Sequence, residues 1–134
     1  MKGLIHVEFI FDEKGIRTES EFGELVISGD ENEGFRPFQL MISSLAGCSI
    51  LVYRKILEKQ RVEYEKITVS VDVERSDDQT AKIESVRLHF KVYGDNLKEK
   101  KLDKALQLAS KNCSMVQSVV PTMEVEETVE AVQV

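Results

Sequence analysis

The chain has 134 residues, 42% of them apolar, which suits one domain (1–134) with a single core and speaks against wholesale disorder. Its net charge is −6 and its pI about 5.0, so it lacks the basic surface that a nucleic-acid partner calls for. Met1-Lys2-Gly3 leads into alternating residues rather than an apolar secretory core. A cytoplasmic location is expected, where two cysteines are more often reactive or merely buried than paired.

In chain order, Ile5, Val7, Phe9 and Phe11 alternate with more polar neighbours, the pattern of a strand. Asp12-Glu13-Lys14-Gly15 is a turn signal, and Ile16 to Ser20 and Glu24 to Ser28 return as further strands. Gly29 to Gly34 is a polar loop. Next comes the most apolar segment: from Pro37 to Tyr53 there is no charged residue. Pro37 suits a first helical turn, where its missing N–H costs nothing. A helix over 37–60 would be about 36 Å long. Its first two-thirds is apolar on every face and its last turns, from Arg54, are amphipathic. A helix apolar all round is buried all round, and one small domain rarely surrounds it, so a second copy of the chain is expected over it. The Pro37–Tyr53 run is too short and too rich in Ser for a bilayer span of about 20 apolar residues, and no membrane partner is expected.

Ile67, Val69, Val71 and Val73 alternate strictly with polar residues, as do Val86, Leu88, Phe90 and Val92. This predicts an antiparallel hairpin with one buried face. Leu102, Ala105, Leu106 and Ala109 mark an amphipathic helix ending near Asn112. Ser114 to Val120 form a short second helix, stopped before Pro121, and Met123 and Val125 open a last strand towards Val132. Clustered strands rather than strict alternation with helices give an α+β class.

Two cysteines could carry chemistry. Cys48 reads either as a small buried apolar residue or as a reactive thiol. It lies three turns into its helix, beyond the reach of that helix's dipole, so a reactive Cys48 needs a cation brought from elsewhere. Cys113 sits at a helix end, beside Lys111 and before the helix start at Ser114. Exposed N–H groups and the nearby charge there favour a thiolate, the alternative being an accidental loop cysteine. His6 and His89 form no ligand pattern with a Cys, Asp or Glu, so no metal site is expected. No phosphate-binding glycine motif is present, and no cofactor is called for. Lys98-Glu99-Lys100-Lys101 reads as a solvated helix face.

Taken together, the apolar helix after Pro37 with Leu45-Ala46-Gly47-Cys48-Ser49, the hairpin, and a helix ending in Asn112-Cys113-Ser114-Met115-Val116 resemble the OsmC/Ohr family of osmotically inducible and organic-hydroperoxide-resistance proteins. The resemblance runs over essentially the whole chain, and its specific part is the two cysteine segments. It implies an intertwined homodimer, antiparallel sheets around a long central helix that carries the first cysteine, and active sites at the subunit interface. It also implies that Cys48 is the peroxidatic thiol for organic hydroperoxides, that Cys113 resolves its sulfenic acid as a disulfide, and that an external dithiol reduces that disulfide. Arg17 is the match for the family's activating arginine, with Arg36 as the alternative. The best-studied branch carries a Glu after the proline that matches Pro37. Here Phe38 and Gln39 follow, so the chain resembles a less characterised branch. Phe38, Gln39, Met41 and Leu45 are the expected substrate contacts, and the apolar lining of Phe38, Met41, Leu45 and Val52 favours bulky organic hydroperoxides over hydrogen peroxide. Two alternatives use the same residues: a thiol enzyme or carrier for sulfur or acyl transfer, and a non-catalytic binder of an apolar ligand.

Overall fold

A computed structural model describes residue 3 and residues 5–134, so the Met1-Lys2 start lies outside the described residues. The chain divides into two compact units, Met1–Ser43 and Ser44–Val134.

In the first unit, β1 (Ile10–Asp12), β2 (Gly15–Glu19) and β3 (Glu24–Ile27) form an antiparallel meander. Asp12 pairs with Gly15 across the turn. Gly15 has φ 96°, a left-handed value that glycine adopts without strain. After β3 the loop returns, and Ile27 bridges Phe35. A Cβ on Gly34 would stand 2.8 Å from the Val26 carbonyl oxygen, so the return needs a residue without a side chain. The strand expected from Ile5 is shorter than its alternation. Only Ile10–Asp12 carry a ladder, while 5–9 run without one. Alternation makes a segment fit for a sheet, but a ladder also needs a partner strand. Ile5, Val7 and Phe9 are left 82%, 55% and 57% exposed.

Helix α1 (Pro37–Lys59) carries the chain from the first unit into the second. In the second unit β4 (Lys66–Arg75) and β5 (Ile83–Gly94) form the expected antiparallel hairpin. α2 (Glu99–Asn112) and α3 (Ser114–Val119) then lead to β6 (Glu124–Gln133), which runs parallel to β5. A parallel pairing needs a long crossover, and the two helices supply it. Strand order is β4-β5-β6. Val86, Leu88, Phe90 and Val92 of β5 are wholly buried, as are Leu102, Ala105, Leu106 and Ala109 of α2. Each large apolar side chain so buried contributes about 1.5–3 kcal/mol. Glu127 faces inward on β6, in register with Leu88. Its two carboxylate oxygens are buried and accept no hydrogen bond among the described residues.

Helix α1 does not bury all its faces. Leu45, Ser49, Tyr53 and Leu57, four residues apart, form one buried stripe; Leu51 is 55% exposed. A single chain can cover only the side that meets its own core. Tyr53 meets Phe90 edge to face, with ring centroids 5.3 Å apart, and its hydroxyl donates to the Leu102 carbonyl at 2.9 Å. These contacts tie α1 to β5 and to α2. The helix is also longer than the uncharged Pro37–Tyr53 run. The amphipathic turns continue the helix to Lys59, and its 23 residues are long and apolar enough to cross a membrane by composition. Its buried stripe docks it instead as a core helix, compatible with a soluble protein.

Candidate functional site

The second unit brings the two cysteines together from opposite ends of its sequence. Cys48 projects from α1 one residue before the buried stripe position Ser49. Cys113 is the single residue between α2 and α3. Its extended backbone (φ −82°, ψ 111°) ends one helix and opens the next. The two thiols are free and hydrogen-bonded to each other. Cys113 is wholly buried, whereas Cys48 is only half-buried. This reverses the sequence expectation, which placed the apolar surroundings at Cys48 and the exposed junction at Cys113. The stripe on α2 draws its C-terminal end into the core, and Cys113 follows it.

Two hydroxyls complete the cluster. Cys48 Sγ lies 3.9 Å from Ser114 Oγ. Ser49 Oγ, itself 1% exposed, donates to Cys113 Sγ at 3.7 Å. Each cysteine is therefore contacted by the serine that follows the other one.

The thiols are polarised in opposite senses. Burial alone would raise Cys48, but hydrogen bonds from the Cys113 thiol, the Met115 N–H, the Ser114 hydroxyl and the Ser114 N–H outweigh it and hold Cys48 below the ordinary cysteine value. Burial raises Cys113, and its hydrogen bond to Cys48 raises it further, against the opposing pull of the Val116 N–H and the Ser49 hydroxyl. Of the coupled pair, Cys48 gives up its proton more readily and Cys113 holds its own more firmly. Of the N–H groups at the start of α3, expected to activate Cys113, those of Ser114 and Met115 serve Cys48 and only that of Val116 serves Cys113. No cation stands among the groups that lower Cys48. An accessible thiolate hydrogen-bonded to a protonated thiol can attack an electrophilic oxygen or sulfur and then close a disulfide without a large movement.

Of the other expected site residues, Leu45 is wholly buried in the core of the second unit. Arg17, Phe38, Gln39 and Met41 belong to the first unit. There Phe38 is half-buried, while Gln39 and Met41 are exposed. The Arg17 guanidinium is gripped by both oxygens of Asp12, with Glu24 at 4.0 Å. The Arg17 hydrogen bond holds the Asp12 carboxyl below its usual range. Arg36 Nε is buried without a hydrogen bond among the described residues. Sequence reasoning missed Ser49, Ser114 and Asp12. The signal for the serines was the repeated Cys-Ser dipeptide. The signal for Asp12 was an acid and a base facing each other across a short hairpin.

The family model described as OsmC-like protein matches residues 29–128, a span that includes both cysteines. The chain belongs to the OsmC-like protein family. This OsmC-like chain is similar in structure to a hypothetical protein from Aquifex aeolicus, with 23% identity, 99% of each chain covered and a TM-score of 0.86. It is similar also to an organic hydroperoxide resistance protein OsmC from Legionella pneumophila, with 17% identity, coverage of 96% and 99%, and a TM-score of 0.72. The organic hydroperoxide resistance protein OhrB of Bacillus subtilis gives 14% identity, coverage of 96% and 100%, and a TM-score of 0.66. These likenesses share the α+β fold with its long helix. No curated protein matches the OsmC-like chain.

Proposed function

We propose that this chain reduces organic hydroperoxides in the cytoplasm, as a homodimer recharged by an external dithiol. The observation that carries the proposal is the polarised dithiol, in which a half-exposed Cys48 with a lowered pKa is hydrogen-bonded to a buried Cys113 with a raised one. Cys48 acts as the peroxidatic nucleophile and becomes a sulfenic acid. Cys113 resolves it as a disulfide. The names of the Legionella and Bacillus neighbours agree with this chemistry. Arg17 is the activating cation, and Asp12 takes the orienting part of the carboxylate that is missing at Phe38. Phe38, Gln39, Met41 and Leu45 contact the substrate's organic group. The homodimer is supported by apolar side chains that a single chain leaves open, Ile5, Val7, Phe9 and Leu51 among them. The test is steady-state consumption of cumene hydroperoxide with a dithiol, compared with hydrogen peroxide. Turnover that Cys48→Ser abolishes, and that favours the organic substrate, is the expected result. Turnover retained in Cys48→Ser overturns the proposal.

A further inference from the structure

The hydroxyls of Ser49 and Ser114 are given no step in the reading above, which this inference deepens and on which it rests. Ser49 occupies the buried stripe of α1 between Leu45 and Tyr53. A buried hydroxyl is costly unless it is bonded, and this one donates to Cys113 Sγ. Ser114, exposed at the start of α3, faces Cys48 Sγ at 3.9 Å. Between a thiol and a hydroxyl either atom could donate. Once Cys48 is a thiolate it has no proton, so only the hydroxyl can.

We propose that Ser49 and Ser114 are crossed positioning residues: Ser114 sets the reactivity of Cys48, and Ser49 sets that of Cys113. The donors then act in sequence. The Cys48 thiolate, held by Ser114, attacks the terminal oxygen of the hydroperoxide. The O–O bond breaks, an S–O bond forms, and the alkoxide leaves with the electron pair. The alkoxide takes the proton of the Cys113 thiol and departs as the alcohol. Cys113 is now a thiolate in a buried place, and the Ser49 hydroxyl is the donor that stabilises it there. Cys113 attacks Cys48 Sγ, the S–O bond breaks, and hydroxide leaves and takes a proton from solvent to become water. Two sulfurs have each given up one electron, and the hydroperoxide has become one alcohol and one water. The burial that makes Cys113 a poor thiolate at rest would stall this second step without Ser49.

The test is single-turnover oxidation of the full-length protein by one equivalent of cumene hydroperoxide, following peroxide loss and disulfide formation separately over a range of pH. Ser49→Ala should leave peroxide loss near the wild-type rate and slow disulfide formation about tenfold, a conservative figure for a lost hydrogen bond to a charged group. Ser114→Ala should do the converse: slower peroxide loss, with its pH profile displaced upwards and the wild-type rate recovered in alkali. Ser114→Thr, which keeps the hydroxyl at an exposed position, should restore the profile. Peroxide-free titrations of the thiolate absorbance decide the inference independently. Ser114→Ala should raise Cys48, and Ser49→Ala in a Cys48→Ser background should raise Cys113. If wild type ignores peroxide but the titrations behave so, the peroxidase reading fails and the crossed pairing stands. If either serine leaves the other segment's cysteine unmoved in titration, or if both substitutions slow the same step, the crossed pairing is wrong.

Discussion

Tyr53 is the clamp between the helix that carries Cys48 and the helix that leads to Cys113, and removing its hydroxyl gives a sharp prediction. Tyr53 is wholly buried, and its hydroxyl donates to the Leu102 carbonyl at 2.9 Å. Tyr53→Phe keeps the ring and its edge contact with Phe90, so no sizeable cavity opens. The Leu102 carbonyl keeps its place in the α2 ladder. The loss is therefore one neutral hydrogen bond, about 1 kcal/mol, or about 4 °C in Tm for a chain of this size. Burial, aided by the nearby negative charge of Asp103, pushes the Tyr53 phenol well above its ordinary range. The sign follows from that direction. Above about pH 10 the unfolded chain ionises this phenol while the folded protein keeps it neutral. Its contribution is complete below that pH and declines above it. Urea titrations should show wild type more stable than Tyr53→Phe near neutrality, with the gap closing and then reversing in alkali. A constant gap across that range, or a neutral-pH loss above about 3 kcal/mol, would refute the assignment of a single buried neutral hydrogen bond.

Other changes test separate parts of the account. Cys113→Ser should consume one equivalent of hydroperoxide, halt as the sulfenic acid and then over-oxidise, as read by intact mass. Arg17→Ala should raise the Cys48 pKa measured by alkylation rate against pH; an unmoved pKa would leave that lowering to the Cys113 thiol and the hydrogen bonds at the start of α3. Glu127→Leu should stabilise the fold by about 1–3 kcal/mol in urea, because it removes a buried carboxylate whose oxygens have no donor. A loss of stability there would mean that the carboxylate is answered in the assembled protein. Sedimentation at low micromolar concentration should show one dimeric species, and a well-folded monomer would remove the second copy from the site.

Elements whose order depends on local periodicity were legible before the structure. The β4–β5 hairpin follows from strict alternation, and the stripe from Leu102 to Ala109 marks α2. The N-terminal strand was overread because Ile5 to Phe9 have the alternation without a ladder partner in the same chain. The parallel placement of β6 was hidden because a strand's own residues do not tell which neighbour it pairs with, or in which direction. The site split in the same way. Both cysteines stand out by type and context, but local context alone favours the thiolate at Cys113, whereas the family resemblance gives that part to Cys48. Whether a thiol is buried depends on how α2 docks, and the donors that lower Cys48 come from residues 113, 114 and 115, far away in sequence. The signals for Ser49 and Asp12, a repeated Cys-Ser dipeptide and an acid facing a base across a hairpin, do not on residue chemistry alone outrank packing or turn formation.

In the proposed mechanism Cys48 and Cys113 form one polarised dithiol that reduces a hydroperoxide by disulfide closure. Its most direct measurement is a stoichiometric titration of the reduced protein with cumene hydroperoxide, followed by alkylation and peptide mass analysis of both thiols. One equivalent should remove both thiols from each chain and link the Cys48 and Cys113 peptides by a disulfide within that chain. Two thiols still free after excess hydroperoxide, or a stable Cys48 sulfenic acid beside an untouched Cys113, would contradict it.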